Sequence, residues 1–276
     1  MGARKVINRF IKGTGYAIQK LPTEETGYDE DGLKSIHNHE FMKEASFCKA
    51  YERGCRAASD LHWHWRVHIG LWAAFTASKL VGDFVECGVN RGFLSSAIME
   101  FLDWDSLNRT FYLLDTFEGL DLRYCSDEEI KAGAAQKNEA ALQGGLYVQG
   151  VEPVKANFSQ WKNLRIIKGS IPETLNQVDT RSVAYLHLDM NCSPPEVAAM
   201  NFFWDRLLPG AVVLLDDYAY RGYQAQKHAM DALAQQRQVM IASLPTGQGL
   251  LFKPPVGHCS TAQPPEVLPA GRAVNG

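Results

Sequence analysis

The stretch Asp83-Phe84-Val85-Glu86-Cys87-Gly88-Val89-Asn90-Arg91-Gly92 decides how the chain is read. A short apolar run ends in an acid and a glycine turn, and a helix is expected to begin near Phe93. A strand of this kind that turns directly into a helix is the opening unit of a parallel α/β sheet. Gly88 permits a tight turn where a side chain would collide, and Gly92 lets the backbone pass close to a ligand at the helix N-terminus. The spacing is G-x-x-x-G, with Asn90 where a dinucleotide fingerprint has its middle glycine. Glu86 places negative charge where a pyrophosphate would lie, so the loop suits a cationic ligand.

Working outward, further short apolar runs end in acids and glycines, with helical stretches between them: 110–115, 164–167, 183–189 and 211–216. Strands alternating with helices predict a parallel sheet covered on both faces. The runs 239–243 and 250–253, joined through Pro245 to Gly249, predict an antiparallel pair after five parallel strands. Upstream, Phe41, Ala45, Cys48, Tyr51 and Cys55 predict one amphipathic helix over 41–58, and Val67, Leu71, Trp72 and Phe75 a second over 65–80. Ser193-Pro194-Pro195-Glu196 predicts a capped helix running to Leu208 and ended by Pro209-Gly210. Ser126 and Glu129 have the spacing of a capping box ahead of an Ala-rich helix reaching about Gln143. That helix lies in a long connection, 122–163, a length that favours a lid.

The acids at the strand ends carry the chemistry. Asp115 closes the second strand of the series, where a carboxylate can accept both hydrogen bonds of a ribose diol. With Glu86, Gly88, Asn90 and Gly92 it makes a nucleoside site without a phosphate-binding feature, which points to S-adenosylmethionine. Asp189 ends the fourth run and Asp216-Asp217 the fifth, so three carboxylates converge on one crevice. They repel unless a cation or a proton relieves them, and oxygen ligands favour a hard ion such as Mg2+. The alternative has Asp217 capping the next helix and Asp216 paired with a basic residue. A divalent ion would lower the pKa of a hydroxyl nucleophile and fix its oxygen.

In order and spacing, Glu86–Gly92, Asp115-Thr116-Phe117-Glu118-Gly119-Leu120, Lys168-Gly169-Ser170, Leu186-His187-Leu188-Asp189 and Pro209-Gly210 with Leu215-Asp216-Asp217-Tyr218 resemble the macrocin O-methyltransferase-like family. That family belongs to the class I S-adenosylmethionine-dependent methyltransferases, and the resemblance covers roughly 83–254. It implies a Rossmann-like, seven-stranded, mostly parallel sheet whose last pair is antiparallel, and methylation of sugar hydroxyls on natural products. It implies Mg2+ held by Asp189, Asp216 and Asp217, and Ser170 beside the adenine. Where the family carries Asp-Gly-Asp, this chain has Asp189-Met190-Asn191, and Asn191 accepts no proton. The base is therefore absent, replaced, or unnecessary because the metal does enough; beside Asp189 as a catalytic residue, the candidate replacements are His187, which alternates with it, and His64 and His68, one helical turn apart. The His64/His68 spacing also suits half a zinc site, although packing is the plainer reading.

Composition sets the outer limits. The chain has 276 residues, 28 Lys+Arg against 31 Asp+Glu and a net charge of −3, which gives no reason to expect nucleic acid. No apolar run approaches the ~18 residues of a membrane span. Six dispersed cysteines without a CxxC pair suit reduced thiols in a cytoplasmic enzyme. The organisation expected is an N-terminal helical extension over 1–80 with a basic arm at its start, a methyltransferase domain over 81–254, and a disordered tail over 255–276. The partner expected is a small-molecule hydroxyl acceptor of sugar type, with a homo-oligomer left open. A methyltransferase-fold scaffold that lost catalysis and an NAD-dependent Rossmann oxidoreductase are the competing functions. Asn191 speaks for the first; the missing middle glycine and the lack of a Tyr-x-x-x-Lys pair speak against the second.

Overall fold

The computed structural model describes residues 27–255; the basic arm and nearly all of the expected tail lie outside the described residues. Two compact units divide at Glu40 and Phe41. The first contributes an antiparallel hairpin, β1 (Tyr28–Glu30) and β2 (Leu33–Ser35). The second holds helices α1 (Ala45–Ala58) and α2 (His64–Ala77) together with the main sheet. The helical stretch expected as an extension up to residue 80 therefore folds, beyond residue 40, as part of the sheet's own unit.

The sheet contains β3 (Asp83–Cys87), β4 (Phe111–Asp115), β5 (Leu164–Lys168), β6 (Val183–Leu188), β7 (Leu207–Leu215), β8 (Ala242–Ser243) and β9 (Gly249–Phe252). Its order is β5-β4-β3-β6-β7-β9-β8, parallel except where β9 meets β7 and β8. Seven strands with an antiparallel ending match the expectation. The strand order reverses between β4 and β6 on either side of β3, so the crevice above β3 is the topological switch point where such sheets bind ligands.

Strand periodicity sorts the core into two layers. Phe84, Phe111, Leu113, Tyr185, Val212 and Leu214 face a layer made by α1, α2 and α3 (Phe93–Phe101). Val85, Tyr112, Leu114, Leu186, Leu188 and Val213 face α7 (Ser193–Trp204) and α8 (Gln224–Gln236). Between β4 and β5 the long connection carries α4 (Asp127–Lys131), α5 (Ala134–Gln143) and α6 (Glu152–Phe158). The Ser126–Glu129 capping box is present, but Gly133, in the left-handed region at φ 90°, breaks the expected single helix into two.

Two local expectations are corrected. Ser193 does not cap α7 with its side chain; Cys192 holds the cap position, and the Ser193 N–H donates to Glu129 Oε1 at 2.6 Å. Pro209-Gly210 does not end the helix, because α7 stops at Trp204 and the pair lies inside β7. The register with β6 shifts there, from Val183↔Leu207 to Tyr185↔Val212. A bulge of that kind accommodates a proline that has no N–H to donate to the ladder. Among the described residues no helix is long and apolar enough to cross a membrane.

Candidate active site

A cavity of about 270 Å³ opens at the carboxyl ends of β3, β6 and β7. Its lining includes Glu86, Gly88 and Asn90 from the glycine loop, His187, Asp189 and Asp216 from the neighbouring strand ends, and Arg66 from α2. The glycine loop owes its form to its neighbours. Gly88 has φ 91°, and a Cβ built there would lie 1.8 Å from the carbonyl oxygen of Asp189, so no side chain fits. A Cβ at Gly92, φ 83°, would lie 2.5 Å from the Phe158 ring. Gly92 is thus required by packing against α6, where the sequence suggested close approach to a ligand.

Asp115 and Asn90 hold this loop in place. Asp115 Oδ2 accepts the N–H groups of Val89 (2.7 Å) and Asn90 (2.8 Å), and Oδ1 accepts that of Phe117 (2.5 Å). Thr116 Oγ1 adds a longer contact at 3.3 Å. These four donors match the roughly four lone-pair sites of a carboxylate. Burial raises the Asp115 carboxyl above its ordinary value despite the opposing pull of these amides. The side chain of Asn90 donates to the Leu146 carbonyl (2.9 Å) and accepts from Val148 N–H (2.8 Å), fastening the long connection to the glycine loop. Ser170 Oγ donates to Asp121 Oδ2 at 2.5 Å, at the start of that same connection.

Across the strands, Glu86 and His187 are direct partners in the β3–β6 register and share the face that looks toward α2. His187 Nδ1 lies 2.9 Å from Glu86 Oε1, and Nε2 lies 3.7 Å from Asp216 Oδ1. Burial alone would lower the imidazole pKa, but the two neighbouring carboxylates, Asp216 and Glu86, outweigh it and push the group up to about 10. His187 thus lies buried between two acids, Glu86 and Asp216, in the lining of the cavity. The expectation for His68 is corrected. Its ring stacks on Phe41 at 4.0 Å and meets Trp65 edge-on at 5.6 Å, and it does not line the cavity. His64 stacks on Tyr51 at 4.3 Å, which disposes of a shared zinc site.

The three expected acids do meet. Burial, then repulsion by Asp216 and Asp217, raises the Asp189 carboxyl well above its ordinary value. Asp216 goes the other way: burial pushes it up, but Arg66, then His187 and Gln248, hold it well below the usual carboxylate range. Arg66 is 6% exposed. Its Nη1 bonds Asp216 Oδ2 and, at 3.2 Å, the Asp216 carbonyl; Nη2 lies 3.7 Å from Asp217 Oδ1. Gln248 Nε2 takes Asp216 Oδ1 at 2.8 Å. Removing one partner of a buried pair of this type costs about 3–5 kcal/mol, because the other charge is left uncompensated.

A hard divalent ion takes about six oxygens, several of them waters, and needs at least one or two protein carboxylates free to turn toward one point. With Asp216 held by Arg66 and Gln248, and Asp217 beside the same guanidinium, the acids as arranged do not fit such an ion. Among the described residues no group of three or more His, Cys, Asp or Glu is placed to hold a metal. Sequence reasoning allowed for a basic partner of Asp216 but did not find Arg66. The available signal was its isolation: it is the only Lys, Arg, Asp or Glu in His64–Ala77. Tyr147 and Tyr223 were also missed; burial, with the charges of Asp189 and Asp217, keeps both phenols protonated.

The comparisons with known proteins agree with this architecture. The chain is similar over 152 residues, at 30% identity, to the 8-demethyl-8-(2,3-dimethoxy-alpha-L-rhamnosyl)-tetracenomycin-C 4'-O-methyltransferase of Streptomyces olivaceus. That match covers 52% of this chain and 55% of the relative, so the chain spans about half the length of the curated relative it matches. Among solved structures, the O-methyltransferase NovP superposes with a TM-score of 0.59 at 17% identity, over 74% of this chain and 88% of its own. The calicheamicin methyltransferase CalS11 does so with 0.51 at 13% identity, over 79% and 94%. At these identities the two structures speak for the fold alone. The profile of the macrocin-O-methyltransferase (TylF) family matches residues 71–243, well over half of the chain, and the chain belongs to that family.

Proposed function

We propose that this protein transfers a methyl group from S-adenosylmethionine to a hydroxyl of a sugar or related natural product, with Asp189 receiving the hydroxyl proton. The observation that carries the reading is Glu86: a buried carboxylate lining the cavity, whose Oε2 has no hydrogen-bond partner among the described residues. A buried, unpaired carboxylate oxygen is costly unless a ligand completes it. The amino-acid portion of S-adenosylmethionine carries an ammonium of the required sign, and the close turn at Gly88 keeps side chains out of its way.

When bound, S-adenosylmethionine supplies a sulfonium-activated methyl group. The chain's own residues do the rest. Asp189 lies in the cavity with its carboxyl raised toward the range in which a carboxylate takes a proton,. Asn191 Nδ2 lies 3.3 Å from Asp189 Oδ1, so the residue that replaces the family's second acid contacts the remaining one. In the transfer, the acceptor oxygen forms a bond to the methyl carbon as the carbon–sulfur bond breaks, the bonding pair stays on sulfur, and the hydroxyl proton passes to Asp189. Because the acids as arranged do not fit a divalent ion, no step runs through one. The sugar class of the acceptor follows the family and the rhamnosyl substrate in the relative's name.

Calorimetric titration with S-adenosylhomocysteine and a radiolabelled methyl-transfer assay on rhamnosyl-bearing aglycones test this reading. Asp189→Asn should bind S-adenosylhomocysteine within about three-fold of wild type while losing about 10²–10⁴ in turnover. A wild-type chain that ignores the nucleoside, or an Asp189→Asn variant that turns over normally, refutes it. Nucleoside binding without transfer to any hydroxyl would favour the scaffold reading instead.

A further inference from the structure

We propose that Arg66 is the resident cation of the crevice: its guanidinium takes the place a divalent ion would fill beside Asp216 and Asp217, so the wild-type protein works without a metal there and gains a metal site when Arg66 is shortened. The inference rests on the methyl-transfer reading above and adds the identity of the group that neutralises its acids.

Four carboxylates, those of Glu86, Asp189, Asp216 and Asp217, reach this crevice from the ends of β3, β6 and β7. Packed acids of one sign require compensation. The fold supplies a cation from α2, one of the helices that lie over this face of the sheet. Arg66 is buried, and it reaches Asp216 through both a carboxylate oxygen and the carbonyl oxygen, with Asp217 Oδ1 at 3.7 Å from its second nitrogen. The guanidinium carbon also lies 4.6 Å from the Tyr220 ring centroid and 6.0 Å from that of Trp63, so aromatic faces flank the cation. Planar donors that match two acceptors while stacking on rings are a property of arginine that neither lysine nor a metal reproduces. Gln248, fully buried, takes the remaining oxygen of Asp216, and Thr246 Oγ1 in turn donates to Gln248 Oε1 at 3.0 Å. Asp216 is thereby fixed from two sides, and it cannot turn to an ion without breaking both contacts.

The consequence is a division of labour. Asp216 and Asp217 are paired with Arg66, and Asp189, which lines the same cavity, is left to take the hydroxyl proton. In a metal-dependent arrangement all three would be ligands and none would be a base.

The test uses the full-length chain and Mn2+ as the probe, read by electron paramagnetic resonance, which separates free from bound ion. Wild type should bind Mn2+ no better than its Asp189→Asn variant. Arg66→Gln, which keeps the side chain's bulk near the acids and removes its charge, should bind Mn2+ about ten-fold more tightly than wild type, since affinity for a hard ion follows uncompensated ligand charge. Adding Asp217→Asn to that variant should abolish the gain. Methyl transfer by wild type should be indifferent to EDTA, whereas in Arg66→Gln it should be recovered by Mg2+ after chelation, a rescue that a purely structural arginine would not allow. Should Arg66→Gln fail to fold, Arg66→Lys carries the same comparison with an expected gain of about three-fold, because a compact ammonium cannot bridge both acids. Mn2+ binding by wild type that Asp189→Asn removes overturns the proposal, and so does a folded Arg66 variant that gains none. S-adenosylhomocysteine binding, measured on the same samples, reports on the methyl-transfer reading separately: its absence in wild type sinks that reading whatever the Mn2+ signal shows.

Discussion

Replacing Asp115 by alanine removes the acceptor of three backbone N–H groups at once, those of Val89, Asn90 and Phe117, at 2.7, 2.8 and 2.5 Å. Hydrogen bonds to a charged acceptor contribute about 1.5–3 kcal/mol each. Asp115 is half-buried, so water can reach part of the vacated space, and the total belongs near the low end, about 4–6 kcal/mol. Asp115→Asn keeps one carbonyl oxygen for the Val89 and Asn90 amides but turns an NH2 group toward Phe117 N–H. One donor is then lost, and the cost is about 1–3 kcal/mol. Urea unfolding followed by tryptophan fluorescence measures both, with an unchanged slope showing that the same surface is exposed. Calorimetry with S-adenosylhomocysteine adds the discriminating readout. If Asp115 acts by shaping the glycine loop, stability and nucleoside affinity fall together and in the order wild type, Asn, Ala. If it acts by gripping a ribose diol, affinity falls while the midpoint stays put. An Asp115→Ala midpoint within about 0.5 kcal/mol of wild type would refute the structural argument outright.

Three further outcomes follow from other contacts. Burial holds the Glu196 carboxyl up at about 8; because this lies above its unfolded value, the associated stability is present below about pH 4.5 and is lost as pH rises through 8. Glu196→Gln, which preserves an acceptor for Met190 N–H, should therefore gain on wild type steadily between pH 5 and pH 8 in thermal melts, and a constant difference across that range contradicts the assignment. Asn90→Ala loses the bonds to Leu146 and Val148, about 1–3 kcal/mol, and hydrogen exchange should quicken at residues 141–150 before it does in the sheet. His68→Phe keeps the stack on Phe41 and should change stability by less than about 1.5 kcal/mol and turnover not at all; a large loss of turnover would restore a chemical role for that histidine.

The central strands β3, β4, β6 and β7 were legible because most of their residues on both faces are buried, so each is written as a short apolar run that an acid or glycine closes. Asp83–Cys87 reads the same in sequence and structure, and 110–115 differs from Phe111–Asp115 by one residue. Pro209-Gly210 misled because a proline reads as a stop wherever the local pattern is helical. Only the pairing of β7 with β6 shows that the two residues fall in a bulge. The split of the Ala-rich helix at Gly133 was visible as a glycine but not as a break, since an isolated glycine is tolerated within many helices.

At the site, the sequence alone determined that acids end strands one, two, four and five of the α/β series, and that glycines and no phosphate-binding pattern follow the first. Strand-end position is a local property, so composition and spacing carry it. What each acid touches is not local. Asp115 meets amides 25 and 26 residues away in chain, and Arg66 meets Asp216 across 150. No periodicity encodes such a pairing, because it depends on which helix the fold lays over which sheet face. Tertiary structure therefore decided that His187 lies between two acids, that His68 belongs to an aromatic cluster, and that a guanidinium from α2 sits among the carboxylates. The physical reason is the range of the forces involved: secondary structure follows from neighbours along the chain, whereas the charge state of a buried group is set by whatever the fold brings within a few ångströms of it.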